Sequence, residues 1–137
     1  MKSTIAIAIA ALTALGFASS AGATTAGLYS GRFPVTVTET GGHDFTGCLA
    51  LTDDGTRGFP HSGPAVLDTH QSGGEFQIIG RFLLVTIEEP GGTGQNAGLV
   101  FVVPARSGIL GVGVFDEVFG GTDFVRGKAT FGNRGGC

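Results

Sequence analysis

From Leu28 onward, apolar side chains recur at every second position in short segments, and clusters of Gly, Asn, Asp or Pro separate the segments. That is the period of β-strands with one face in a core. In the segment Leu28 to Glu39, Tyr29, Gly31, Phe33, Val35 and Val37 share one face, while Arg32, Thr36 and Thr38 take the other. Pro34 falls on the outer face and removes a backbone donor, which predicts a bulge or a partly unpaired edge there. In Phe45 to Thr52, Phe45, Gly47, Leu49 and Leu51 point inward and Thr46, Cys48 and Ala50 outward. Asp53-Asp54-Gly55-Thr56 then supplies an Asp-Gly hairpin signal. A third element, broken by Pro60 and Pro64, runs over roughly Thr56 to Asp68. Glu75 to Ile79 and Phe82 to Glu88 form a hairpin through Gly80-Arg81, with glycine suited to the first position of a type II′ turn.

The stretch Pro90 to Gly98 is the longest irregular one, and Leu99 to Val103 after it is apolar on both faces. Such a strand is covered on both sides or leaves an apolar patch exposed. Arg106-Ser107-Gly108 turns the chain into Ile109 to Glu117, where Leu110, Val112 and Val114 alternate with Gly111 and Gly113. Glycine along one face of a strand points to tight curvature or to a close aromatic neighbour. The segment Asp123 to Phe131 places Val125, Gly127, Ala129 and Phe131 inward against Arg126, Lys128 and Thr130. About eight short strands with brief connections predict an all-β fold, a small antiparallel eight-stranded up-and-down barrel, with a two-sheet β-sandwich as the alternative. Closure is favoured because it removes edges that invite aggregation.

The first 23 residues differ in kind: Lys2, an apolar run from Ile5 to Leu15 and a small-residue end at Ala21-Gly22-Ala23. This is the layout of a secretory signal peptide, and the run is shorter than the ~20 residues that span a bilayer. We expect a signal peptide over residues 1–23, a single β-barrel domain over 24–137, and a secreted or periplasmic location without a stable membrane span after the leader is removed. In that oxidising setting the two cysteines, Cys48 and Cys137, are expected to form a disulfide. A net charge of −3, with scattered arginines, argues against nucleic acid as a partner. Arg32, Thr36, Thr38, Arg126, Lys128 and Thr130 on the outer rows argue against an outer-membrane barrel.

Chemistry is sparse. His43, His61 and His70 fall in loops and would serve as zinc or copper ligands if brought together, although their spacing matches no ligand motif. Asp53 and Asp54 fit turn chemistry better than calcium binding. Glu88-Glu89 and Asp116-Glu117 are adjacent strand residues that point to opposite faces, and are expected as solvated charge flanking apolar strands. The glycine-rich loop from Gly91 to Gly98 lacks the Lys-Ser/Thr of a phosphate loop, and Ser62 beside His61 lacks a nucleophile setting. Six phenylalanines, Phe76, Phe82, Phe101, Phe115, Phe119 and Phe124, exceed what one-sided alternation needs. Of these, Phe101, Phe115, Phe119 and Phe124 are the candidate ligand-binding residues, because aromatic walls beside glycine gaps make concave apolar sites.

In strand count and topology the outline resembles the small secreted barrels of the avidin-like and lipocalin-like groups. The tryptophan typical of many lipocalin-like barrels is missing, and no site residue is carried over. The expected function is that of an exported, non-enzymatic binding module for a small apolar ligand or a protein surface, with no cofactor. A small metal-dependent hydrolase using the loop histidines and a structural or inhibitory surface protein are the alternatives.

Overall fold

The computed structural model describes residues 27–41, 44–70, 72–89, 97–119 and 123–137. The expected leader, His43 and the stretch from Pro90 to Asn96 lie outside the described residues. Among the described residues nine strands form: β1 (Gly31–Glu39), β2 (Phe45–Leu51), β3 (Ser62–Leu67), β4 (Ser72–Ile79), β5 (Phe82–Glu89), β6 (Ala97–Arg106), β7 (Ile109–Leu110), β8 (Val112–Phe119) and β9 (Asp123–Phe131). A single 3-10 turn, Asp68–His70, is the only helical element among the described residues.

Every paired neighbour is antiparallel, and β1 to β6, β8 and β9 follow one another in chain order. β9 returns to β1, from Val35↔Phe131 to Glu39↔Gly127, so eight strands close into an up-and-down barrel. The short β7 is an appendage on the end of β6. A sandwich would leave two sheets with edges, but β5 pairs with β6 along its whole length, from Phe82↔Pro104 to Glu89↔Ala97.

Inward-facing glycines permit the tight coiling that closure demands. A Cβ on Gly74 or Gly113 would collide with the carbonyl oxygens of Thr86 and Val102, and one on Gly127 would lie 2.6 Å from Thr38 O. Only glycine allows the strands to approach this closely at these points. Phe33, Phe76, Phe101 and Phe115, with Leu49, Leu67, Leu83 and Val85, fill the interior and are at most 1% exposed. Each such side chain contributes about 1.5–3 kcal/mol on burial. Val125 on the same inner row is half-buried.

Two turns match their chemistry. Gly80 at φ +62° opens the two-residue β4–β5 hairpin, and Ser107 and Gly108, both at positive φ, form the β6–β7 hairpin. Pro34 stands where β9 pairing ends, at Val35↔Phe131: beyond it Gly132 N donates to Pro34 O at 2.8 Å, and the return bond is the one proline cannot make. Cys48, on the outer face, is joined to Cys137 with Cα atoms 6.1 Å apart, closing a separation of 89 residues.

Two expectations are corrected. The third strand begins only at Ser62, so Pro60 stays in the connection. On β8 the inward residues are Gly113, Phe115 and Glu117, while Val112 and Val114 are 49% and 44% exposed. The cause is Gly111, which leaves the strand, donates to Pro104 O and slips the alternation by one after buried Leu110. On the doubly apolar β6 the second alternative holds: Val102 is 39% exposed and pairs with exposed Val114, so an apolar patch faces outward.

Candidate functional site

In a closed meander, alternate connections emerge at opposite ends, and the charges of this chain divide accordingly. The end carrying the β1–β2, β3–β4, β5–β6 and β8–β9 connections holds Glu39, Asp44, Asp68, Glu88, Glu89, Glu117 and Asp123, and those connections contain no lysine or arginine. Arg126 borders this end on the outer face, where it pairs with Asp116. The opposite end carries Arg32, Arg57, Arg81, Arg106 and Arg134 against Asp53 and Asp54. The barrel therefore has an electrical polarity along its axis, one end attracting cations and the other anions.

The basic end is organised around Asp53. This residue is 4% exposed, and its carboxylate accepts Tyr29 N–H at 3.1 Å and Ser62 N–H at 3.1 Å. The same carboxylate meets His61 Nδ1 at 2.7 Å, and the imidazole packs against the edge of the Tyr29 ring, centroids 5.2 Å apart. Ser30 Oγ accepts from Asp53 N, so the segment before β1 is fastened to the β2–β3 connection. Asp54 turns outward and takes Thr56 N–H and the Thr56 hydroxyl at 2.6 Å, which hold its carboxyl below the ordinary 3.8.

Beside this network lies an open concavity of about 860 Å³ lined by Tyr29, Arg81, Pro104, Ala105, Arg106 and Ile109, among others. Arg81 reaches it from the β4–β5 turn and Arg106 from the end of β6: Ala105 N donates to Arg81 O, and Arg106 follows in the chain. Neither guanidinium pairs with a carboxylate among the described residues. A smaller depression of about 300 Å³ adjoins through Ser107 and Ile109 and reaches Arg134. The Arg134 guanidinium stacks over Phe33 at 5.7 Å and donates to the carbonyls of Leu28 and Gly108.

The residues singled out from sequence divide between the two ends and the interior. Phe101 and Phe115 are fully buried, rings 5.1 Å apart, and Phe115 meets half-buried Phe45 at 5.6 Å. Phe119 ends β8 and Phe124 pairs with Val118; their side chains lie outside the described residues. His61 directly precedes β3 and His70 ends the 3-10 turn that follows it, while His43 and the His70 side chain lie outside the described residues. Among the described residues no group of three His, Cys, Asp or Glu is placed to hold a metal ion. Ser62 is fully buried, donates to Phe59 O at 2.7 Å and accepts from Arg57 N, so its hydroxyl is committed to the loop.

The acids hold what the sequence reading missed. Asp116 does face out, paired to Arg126 at 2.8 Å, but Glu117 is 8% exposed on the inner surface and is not solvated. Glu39 is 6% exposed at the end of the inner row Phe33, Val35, Val37, and neither of its carboxylate oxygens has a hydrogen-bond partner. Period-two counting carried one step further would have placed Glu39 inside, whereas Glu117 comes inside only through the slip at Gly111.

Neither a protein-family model nor a curated protein nor a solved structure shows significant similarity to this chain.

Proposed function

We propose that the protein is an exported binding module, processed before Thr24, that takes a small ligand with an apolar body and an anionic group at the basic end of its barrel. The observation that carries this reading is the pair of unpartnered guanidiniums, Arg81 and Arg106, on the wall of a concavity whose other lining includes Tyr29, Pro104 and Ile109. Its volume of about 860 Å³ is in the range of small-ligand sites. A carboxylate there would gain charge-assisted hydrogen bonds that the unliganded end does not make. The apolar wall beside it would receive an alkyl or aromatic body.

Calorimetric titration of the processed protein with decanoate and with decanol tests the proposal. Decanoate should bind, decanol should bind at least about tenfold more weakly, and Arg81→Ala with Arg106→Ala should remove the difference. Equal binding of acid and alcohol, or no binding of either, would sink it.

A further inference from the structure

We infer that the acidic end of the barrel is a second binding site, for an organic ammonium ion, with Glu39 as its anchor. The site is independent of the anion groove at the other end, and different residues carry it.

The starting point is an energetic anomaly. Glu39 continues a row of buried core residues, Phe33, Val35 and Val37, where a further valine would suit the packing. Its two carboxylate oxygens are buried without a donor from any side chain or backbone group among the described residues. A buried carboxylate in that condition destabilises the fold, because it gives up water and receives nothing in exchange. Such a group is the natural cost of a site whose missing partner arrives with a ligand.

The surroundings decide which ligand. Across the sheet from Glu39 stands Gly127, which offers no side chain, and across from Gly127 stands Phe115. Phe115 is in ring contact with Phe45 and Phe101, and Phe45 is opposite Val37, one inward position deeper than Glu39. The carboxylate thus heads an inner row that runs through Gly127 to Phe115 and Phe101, and Glu117 lies two strands away on the same inner surface. An ammonium ion is attracted both to a carboxylate and to aromatic faces, and its carbon body suits a phenylalanine wall. A hard metal ion wants six to eight oxygens. The described residues offer no such set, and rings cannot supply it. The carboxylates of Glu39, Asp44, Asp68, Glu88 and Glu117 at this end, with no lysine or arginine in the sequence of the connections there, add a field that concentrates cations.

The test is a thermal-shift and calorimetric titration of the processed protein with hexylammonium, hexanol and calcium chloride, repeated on Glu39→Gln. Glu39→Gln breaks no hydrogen bond of the fold and should be at least as stable as the parent, so loss of binding could not be blamed on misfolding. Hexylammonium should raise the melting temperature of the parent while hexanol does not, and Glu39→Gln should weaken the ammonium by at least about tenfold. Arg81→Ala with Arg106→Ala should leave ammonium binding intact, which separates this site from the groove. Absence of an ammonium shift in the parent, an equal shift in Glu39→Gln, or stabilisation by calcium alone would overturn the inference.

Discussion

Replacing Asp53 with asparagine should loosen the basic end by an amount that can be worked from its hydrogen bonds. The carboxylate accepts from Tyr29 N–H and His61 on one oxygen and from Ser62 N–H on the other. An asparagine has one acceptor oxygen, so in either orientation its amide group faces one of the two buried N–H donors. The imidazole can change tautomer to accept, but a backbone N–H cannot. One orphaned donor costs about 1–3 kcal/mol, and loss of the charge-assisted bonds brings the expected total to roughly 2–4 kcal/mol. Asp53→Ala orphans both donors and should cost more; His61→Ala leaves both backbone bonds and should cost about 1 kcal/mol. Tyr29 is the only tyrosine and there is no tryptophan, so its fluorescence reports this network directly while circular dichroism reports the barrel. Urea titrations followed by both signals should rank the variants, from least to most stable, as Asp53→Ala, Asp53→Asn and His61→Ala. If Asp53→Asn stays within about 0.5 kcal/mol of the parent with Tyr29 fluorescence unchanged, the network is not what fastens this end.

Two further outcomes follow from the fold. Removing the disulfide by Cys48→Ala with Cys137→Ala opens a separation of 89 residues, which should lower stability by about 4.5 kcal/mol in the chain-entropy view and the melting temperature by more than about 10 °C. A loss under about 1 kcal/mol by calorimetry would show that the tail is held by other means. Gly113→Ala pushes a methyl to 2.6 Å from Val103 Cα and should cost about 1–3 kcal/mol, whereas Gly73→Ala, whose nearest neighbour would be 3.9 Å away, should be neutral or slightly stabilising by chemical denaturation. Equal effects at the two positions would refute the link between inward glycines and barrel curvature.

Much of the wall was legible from residue order because strand alternation is a local property. Phe33, Leu49 and Val85 each sit on the buried row that counting by twos assigns, and Gly80 and Ser107-Gly108 turn the chain where their backbone freedom allows. The alternation failed on β8, where the slip at Gly111 depends on pairing with Pro104 from another part of the chain. Glu117 departs from its expected solvation for a related reason. Charge alone says water, yet Glu39 and Glu117 obey the parity of their strands and stay inside. Asp53 and Asp54 are chemically identical neighbours, but one is buried by donors from Tyr29 and Ser62 while the other caps Thr56 at the surface.

By itself the sequence determined strand content, the inner and outer rows of most strands, the turns at Gly80 and Ser107-Gly108 and the two cysteines available to each other, since each depends on neighbours within a few residues or on simple count. Tertiary structure decided the rest: the β1–β9 pairing that closes the barrel, the gathering of carboxylates at one end and arginines at the other, and the burial of Glu39 against nothing that neutralises it among the described residues. These features arise when residues far apart in the chain are brought to a common end of a closed sheet, and no local pattern carries that information.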